Sequence, residues 1–180
     1  MIHCIHKHGN FGRHSALVKS VDCLVRAAGF ATSVEDRCAF SARKLRTDIT
    51  VYAFQPDGSD LSVDVAVVNP AADSYLPARD VVPLSAAVWK ANAKTQKYEA
   101  ILGGSSFCPA VWEAYGAVGE SAQSLVVKSC ARLSQEDDTF SPPNWAASSP
   151  SSYWWQRLSV ALQWSNACKM RDLLSAAARK

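Results

Sequence analysis

Apolar positions recur every third or fourth residue from His14 to Ala28. Leu17, Val21, Leu24, Val25 and Ala28 form one stripe, and Gly29 follows as a stop, so the segment predicts a helix. The pattern then changes period. FATSVEDR reads as a short strand ending near Glu35. Asp48 to Phe54 alternates and is rich in Ile, Val and Tyr, and Leu61 to Val68 is a second β-type run. Pro56-Asp57-Gly58 lies between them as a turn, which predicts a hairpin, and Asn69-Pro70 ends its second strand. A loop over 71–84 leads into a helix from Ser85 to Leu102, closed by Gly103-Gly104. PAVWEAYG then reads as a buried strand, and 118–134 as a helix of small and apolar residues. FSPPNWAASSPSS is a Pro/Ser-rich connection, and a last helix begins near Tyr153 with Trp154, Leu158, Ala161 and Leu162 on its apolar stripe. The element order predicts one mixed α/β domain in which helices flank a small mixed central sheet.

Two positions violate this pattern. Asp48 and Asp64 sit inside apolar, strand-like segments, where a charge is costly unless something pairs with it. On neighbouring strands, two such carboxylates are either paired structurally or hold a cation. The following helix brings Lys94 and Lys97 into the same neighbourhood. Carboxylates that hold Mg²⁺ or Mn²⁺ beside an ammonium supply what phosphodiester hydrolysis requires: a Lewis acid, an activated water and stabilisation of developing negative charge. Blander readings stand beside this one. Asp48 can pair with Arg43 or Arg46 at a strand edge, Asp64 can point outward from a half-exposed sheet, and the helical lysines can be a solvated face.

Composition narrows the picture further. The chain has 180 residues, 48% of them hydrophobic, enough for one domain with a substantial core. Its net charge of +3 permits a local basic face without demanding one. No apolar run approaches the ~18 residues of a membrane span. The N-terminus MIHCIHKHGNFGRH has no signal-peptide core, so a nuclear or cytoplasmic, non-secreted chain with reduced thiols is expected. The six cysteines form no C-x-x-C pair and read mostly as small buried hydrophobes. The histidines at 3, 6, 8 and 14 read as surface residues, with His14 capping or packing the first helix. The tryptophans read mainly as core. Glu113 and Gly116 read as a strand-end carboxylate and a turn glycine. Arg43, Lys44 and Arg46 cluster directly before the Asp48 strand, where DNA phosphates would run if a metal site lay there.

Six segments, in order, carry a resemblance to a known family: GRHSALVKSVDCLVRAAG, LRTDITV, LSVDVAVVNP, KTQKYEAI, FCPAVWEAYGAVGESAQ and RLSVALQWSNA. Together they resemble the restriction-like endonuclease domain of site-specific non-LTR retrotransposons and their domesticated relatives, a branch of the PD-(D/E)xK nucleases. The resemblance implies a restriction-endonuclease-like core. It implies Asp48 and Asp64 as the two acidic residues, with Mg²⁺ or Mn²⁺ as cofactor. Many members of that superfamily carry a lysine two residues after the second acid, where this chain has Ala66. In the retrotransposon branch the lysine lies on the following helix, where Lys97 is the first match and Lys94 the second. Glu35 is the match for an additional metal ligand, and Arg13 for a phosphate contact alongside Arg43, Lys44 and Arg46.

The resemblance also implies an organisation. Residues 1–12 resemble the tail of a zinc knuckle with Cys4 as its last ligand, and too few ligands remain for a structural zinc. Residues 13–180 are then the nuclease domain, with a Pro/Ser-rich loop at 139–152 and a C-terminal helix. The chain would be a piece of a longer element protein or a host gene derived from one. The expected partner is DNA, with RNA or a reverse transcriptase as further partners, and no membrane. The expected activity is target-site nicking. The competing expectation is a domain that kept the fold, lost the chemistry, and serves as a nucleic-acid-binding or interaction module.

Overall fold

Leu61–Val68 is a mostly apolar β-type run of eight residues and forms the central strand. In the computed structural model, which describes residues 8–35, 46–72, 75, 82–102, 106–136 and 147–179, both of its edges are paired. The sheet runs β1 (Thr32–Val34), β2 (Ile49–Val51), β3 (Leu61–Val68) and β4 (Ser106–Glu113), in that order. β1–β2 and β2–β3 are antiparallel, and β3–β4 is parallel. A parallel pair needs a crossover, and α2 (Ser85–Leu102) supplies it. With α1 (His8–Ala27), α3 (Glu120–Glu136) and α4 (Pro150–Ala177), the described residues form a mixed α/β fold of four strands and four helices.

Side chains alternate across β3, so its two faces have different coverings. Val63 and Val65 point into the main core with Leu17, Val21 and Leu24 of α1, Leu125 of α3, and Leu158 and Leu162 of α4. Ala66 and Val68 point the other way, onto Ala86 and Ala87 of α2 and Val111 of β4. Three helices thus cover one face. Among the described residues α2 is the one helix on the other, brought close by a seam of alanines, with Tyr75 and Leu84 packed beside it.

Helix α2 keeps the predicted bounds, and most other boundaries shift for identifiable reasons. α1 starts at His8 rather than His14, and it stops where expected. Gly29 adopts φ 81°, its N–H donates to the Arg26 carbonyl, and the Phe30 N–H reaches back to Val25, the paired bonds of a Schellman stop. β1 ends at Val34 because Glu35 turns to φ 61°. β2 is shorter than the alternation suggested: Ala53 lies at φ 52°, and its N–H is taken by the Asp60 carboxylate instead of a ladder partner. β4 runs earlier than PAVWEAYG, beginning at Ser106 and ending at Glu113, since Gly116 at φ 110° belongs to a turn. α4 begins at Pro150, inside the segment read as a loop. Ser149 and Ser152 form a reciprocal cap and Pro150 occupies the first turn, where its missing N–H costs nothing. No helix among the described residues is long and apolar enough to cross a membrane.

Candidate active site

The two acids meet through the register of β2 and β3. Ile49 pairs with Val63, so one step outward in an antiparallel register sets Asp48 opposite Asp64. Asp48 lies just before β2 begins. Its own N–H still donates to the Val63 carbonyl at 3.0 Å, but the next inward-facing donor of β3, the Val65 N–H, has no backbone acceptor on β2. The Asp48 carboxylate replaces it, accepting that N–H through Oδ2 at 2.6 Å. The same oxygen lies 3.1 Å from Nε2 of His14, on α1. On the α2 side, Lys94 donates Nζ to Asp64 Oδ2 at 2.6 Å. The Asp64–Lys94 pair is nearly buried, at 10% and 16% side-chain exposure. Four side chains, from α1, the residue before β2, β3 and α2, therefore converge at the start of the short strand.

Burial and proximity set the charges of this cluster. Burial pushes Asp48 upward, but its hydrogen bonds with His14, with the Asp64 carboxyl and from the Val65 N–H outweigh it and hold Asp48 below the usual carboxylate range. Asp64 moves in the opposite sense. Burial raises it, Lys94 only partly compensates, and the neighbouring Asp48 raises it further. The two neighbouring carboxyls are thus shifted in opposite directions, Asp48 down and Asp64 up. His14 is raised, first by its bond to Asp48 and then by the fields of both acids, against burial and the Lys94 charge. Pushing two neighbouring carboxyls apart in this way is characteristic of functional sites, although structural ion-pair networks also produce it.

The other expected site residues have other surroundings. Lys97, the first match for the catalytic ammonium, is exposed, with its Nζ 5.2 Å from the Tyr98 ring centroid; Lys94 is the lysine that reaches an acid. Glu35 gives its carboxylate to Arg46, Oε2 to Nη1 at 3.0 Å, and only its backbone N–H approaches Asp48, donating to the carbonyl at 2.8 Å. Arg46 is exposed at the rim, where the Tyr98 hydroxyl donates to its carbonyl at 2.8 Å. Arg13 is buried at 6% exposure, not laid out for a phosphate. It donates to Oδ1 of Asn166 at 3.4 Å, and burial lowers its pKa. Arg43, Lys44 and Cys4 lie outside the described residues.

His14 was expected to cap or pack its helix and instead touches the acid pair. Its position held the signal: Leu17 and Val21 follow at i+3 and i+7, so His14 heads the buried stripe of α1. The same spacing separates the two lysines. Ala87, Ala91, Lys94 and Tyr98 form the inward line of α2, whereas Lys97 flanks it.

Two further features lie apart from the acids. Glu113 is buried at the end of β4, its Oε1 without a hydrogen-bond partner. A groove of about 250 Å³ lies between the first residues of β3 and β4 and helix α3, lined by Phe54, Phe107, Ser121 and Lys128 among others. Cys108 at its wall is pushed up to about 12 by burial and is a packing residue. Among the described residues, no group of three or more His, Cys, Asp or Glu side chains has the arrangement of a metal site. No protein-family model matches the chain, and no curated protein matches it in sequence.

Proposed function

We propose that this chain is a metal-dependent DNA endonuclease, built on a restriction-endonuclease-like core of the kind found in non-LTR retrotransposon proteins. The observation that carries this reading is the meeting of Asp48, Asp64 and Lys94 at one interrupted edge of the sheet. Placing two carboxyls in contact is costly, and a fold needing only stability has cheaper ways to fill that space.

The donor set fits Mg²⁺ or Mn²⁺. Mg²⁺ is commonly held by one or two carboxylates, with water and substrate phosphate completing its shell, so a pair of acids without a third protein ligand suffices. Asp48 and Asp64 would hold the ion. When bound, it supplies a Lewis acid and an acidic water. The chain's own residues do the rest. The Val65 N–H and His14 both engage Oδ2 of Asp48, which fixes the carboxylate's orientation beside Asp64. Lys94 places a positive charge beside Asp64, where it can stabilise negative charge that develops on a phosphodiester oxygen. The small Ala66, on the same face as Asp64, lets α2 approach closely enough for that ammonium to arrive from the helix. In a retrotransposon setting, the nick would serve a reverse transcriptase acting on nuclear DNA.

One observation favours the competing module reading. Asp48 already has His14 and Asp64 already has Lys94, so the cluster satisfies itself without an added cation. A domain that had lost catalysis would keep such a network as internal bracing and bind nucleic acid without cutting it.

Plasmid nicking with Mn²⁺ decides between them. The wild type should convert supercoiled DNA to nicked circles, and Asp48→Ala or Asp64→Ala should abolish this. At saturating DNA, Lys94→Gln should lower the rate by about 10²–10³, the usual cost of removing one preorganised charge-stabilising group. Lys97→Gln should leave that rate within a few-fold. Equal nicking by the wild type and both alanine variants would rule out this site.

A further inference from the structure

Helix α2 carries more positive charge toward the acid pair than the pair can use. Successive helical residues turn by about 100°, so Lys90, Lys94 and Lys97 fall within an arc of about 60° along roughly 10 Å of axis. Ala86 and Ala87 border or share that arc and are buried against the sheet. The lysines follow toward the C-terminal half of the helix, where Tyr98 stacks on Phe107 of β4. Lys94 is committed to Asp64. Lys90 is half-buried and Lys97 exposed, and among the described residues neither pairs with a carboxylate. Glu99, the one acid of α2, lies about 140° around the helix from Lys94. Tyr98 ties the C-terminal half of α2 to the backbone of Arg46, whose guanidinium is exposed. A row of three lysines, Lys90, Lys94 and Lys97, thus runs along α2 past the acids, while the Arg46 guanidinium is paired with Glu35.

We propose that this row is the track for the sugar-phosphate backbone of duplex DNA, with Lys90 and Lys97 contacting phosphates on either side of the one presented to Asp48 and Asp64. The proposal rests on the nuclease reading for the position of that central phosphate. Three features favour a phosphate chain. The lysines are about 6 and 4.5 Å apart along the helix, and a flexible four-carbon stem on each lets them follow a backbone that presents one charge per 3.4 Å of axis on each strand. Point charges without apolar pockets between them read a repeating backbone rather than a sequence. The acids at the centre of the row disfavour an acidic peptide, whose carboxylates would meet two more, whereas a phosphodiester that shares a divalent cation with them is not repelled.

The test is the salt dependence of duplex binding in EDTA, read by anisotropy of a labelled duplex of about 20 base pairs, so that binding is measured without cutting. Lys90→Gln and Lys97→Gln should each make the slope of log K against log salt less negative by about 0.9, and the double variant by about 1.8. Arginine at both positions should restore the wild-type slope. Lys19→Gln, on the exposed face of α1, should leave it unchanged. A wild type that does not bind, a double variant with the wild-type slope, or an equal effect of Lys19→Gln would overturn the track. A protein that binds through this row yet never nicks DNA sinks the nuclease reading alone. One that nicks while its salt slope ignores both lysines sinks the track alone.

Discussion

The contact between His14 and Asp48 has a thermodynamic consequence that can be worked out by sign. His14 is raised above 6.5 in the folded protein, so its contribution is complete below pH 6.5 and is lost as pH climbs through the raised value. Asp48 is lowered beneath 3.8, so its contribution is complete above that pH and is lost as pH falls through the lowered value. The pair therefore stabilises the fold most fully between pH 3.8 and 6.5. Asp64, raised above 3.8, adds a decline that sets in as pH rises past 3.8. Denaturant unfolding in metal-free buffer should show stability falling from pH 6.5 toward 8, and His14→Gln should flatten that fall. An identical pH slope in the variant would mean that the contact has no energetic weight. At this scale the sequence marked Asp48 and Asp64 clearly, because a carboxylate within an apolar β-type run stands out from its neighbours. A motif match carries no helical phase, so the sequence did not show that Lys94 rather than Lys97 reaches an acid.

Among the elements, three of the blocks used for the family resemblance also meet at a second place, through Arg13, Ala114 and Asn166. Arg13 from α1 donates to Asn166 of α4, and Asn166 donates to the Ala114 carbonyl at 2.8 Å, just beyond β4. Gln163 accepts from Asn166 at 3.2 Å, and its Nε2 lies 3.7 Å from where a side chain on Gly116 would begin. These pieces brace α1, α4 and the turn after β4, whose residues are up to 153 positions apart in sequence. Asn166→Ala should leave a buried guanidinium and a carbonyl short of a partner, at a cost of about 2–3 kcal/mol. For a domain of this size that lowers Tm by roughly 5–10 °C. A melting shift below about 1 °C would show the brace to be idle. Element types were legible from hydrophobic period, as in α2. Boundaries were not, because they rest on particular bonds: the Asp60 carboxylate that shortens β2, or the Ser149–Ser152 cap that starts α4 inside a Pro/Ser-rich stretch.

For the molecule as a whole, the mixed α/β class and the β2–β3 hairpin were readable from element order and one turn. The asymmetric covering of the sheet was not. The close approach of α2, the one helix on its face among the described residues, follows from an alanine seam formed by Ala66, Ala86 and Ala87, residues that look unremarkable one at a time. This asymmetry positions the site. The thickly covered face supplies the core and the imidazole of His14, the thinly covered face supplies Lys94, and the acids lie at the strand end between them. The most direct test of this account is calorimetric titration of Mn²⁺ into the metal-free protein at neutral pH. The wild type should bind the ion, Asp48→Asn and Asp64→Asn should each weaken uptake by at least ~10-fold, and Lys97→Gln should not. No uptake by the wild type, or uptake indifferent to both asparagine substitutions, would contradict the claim that these two carboxylates form a divalent-cation site.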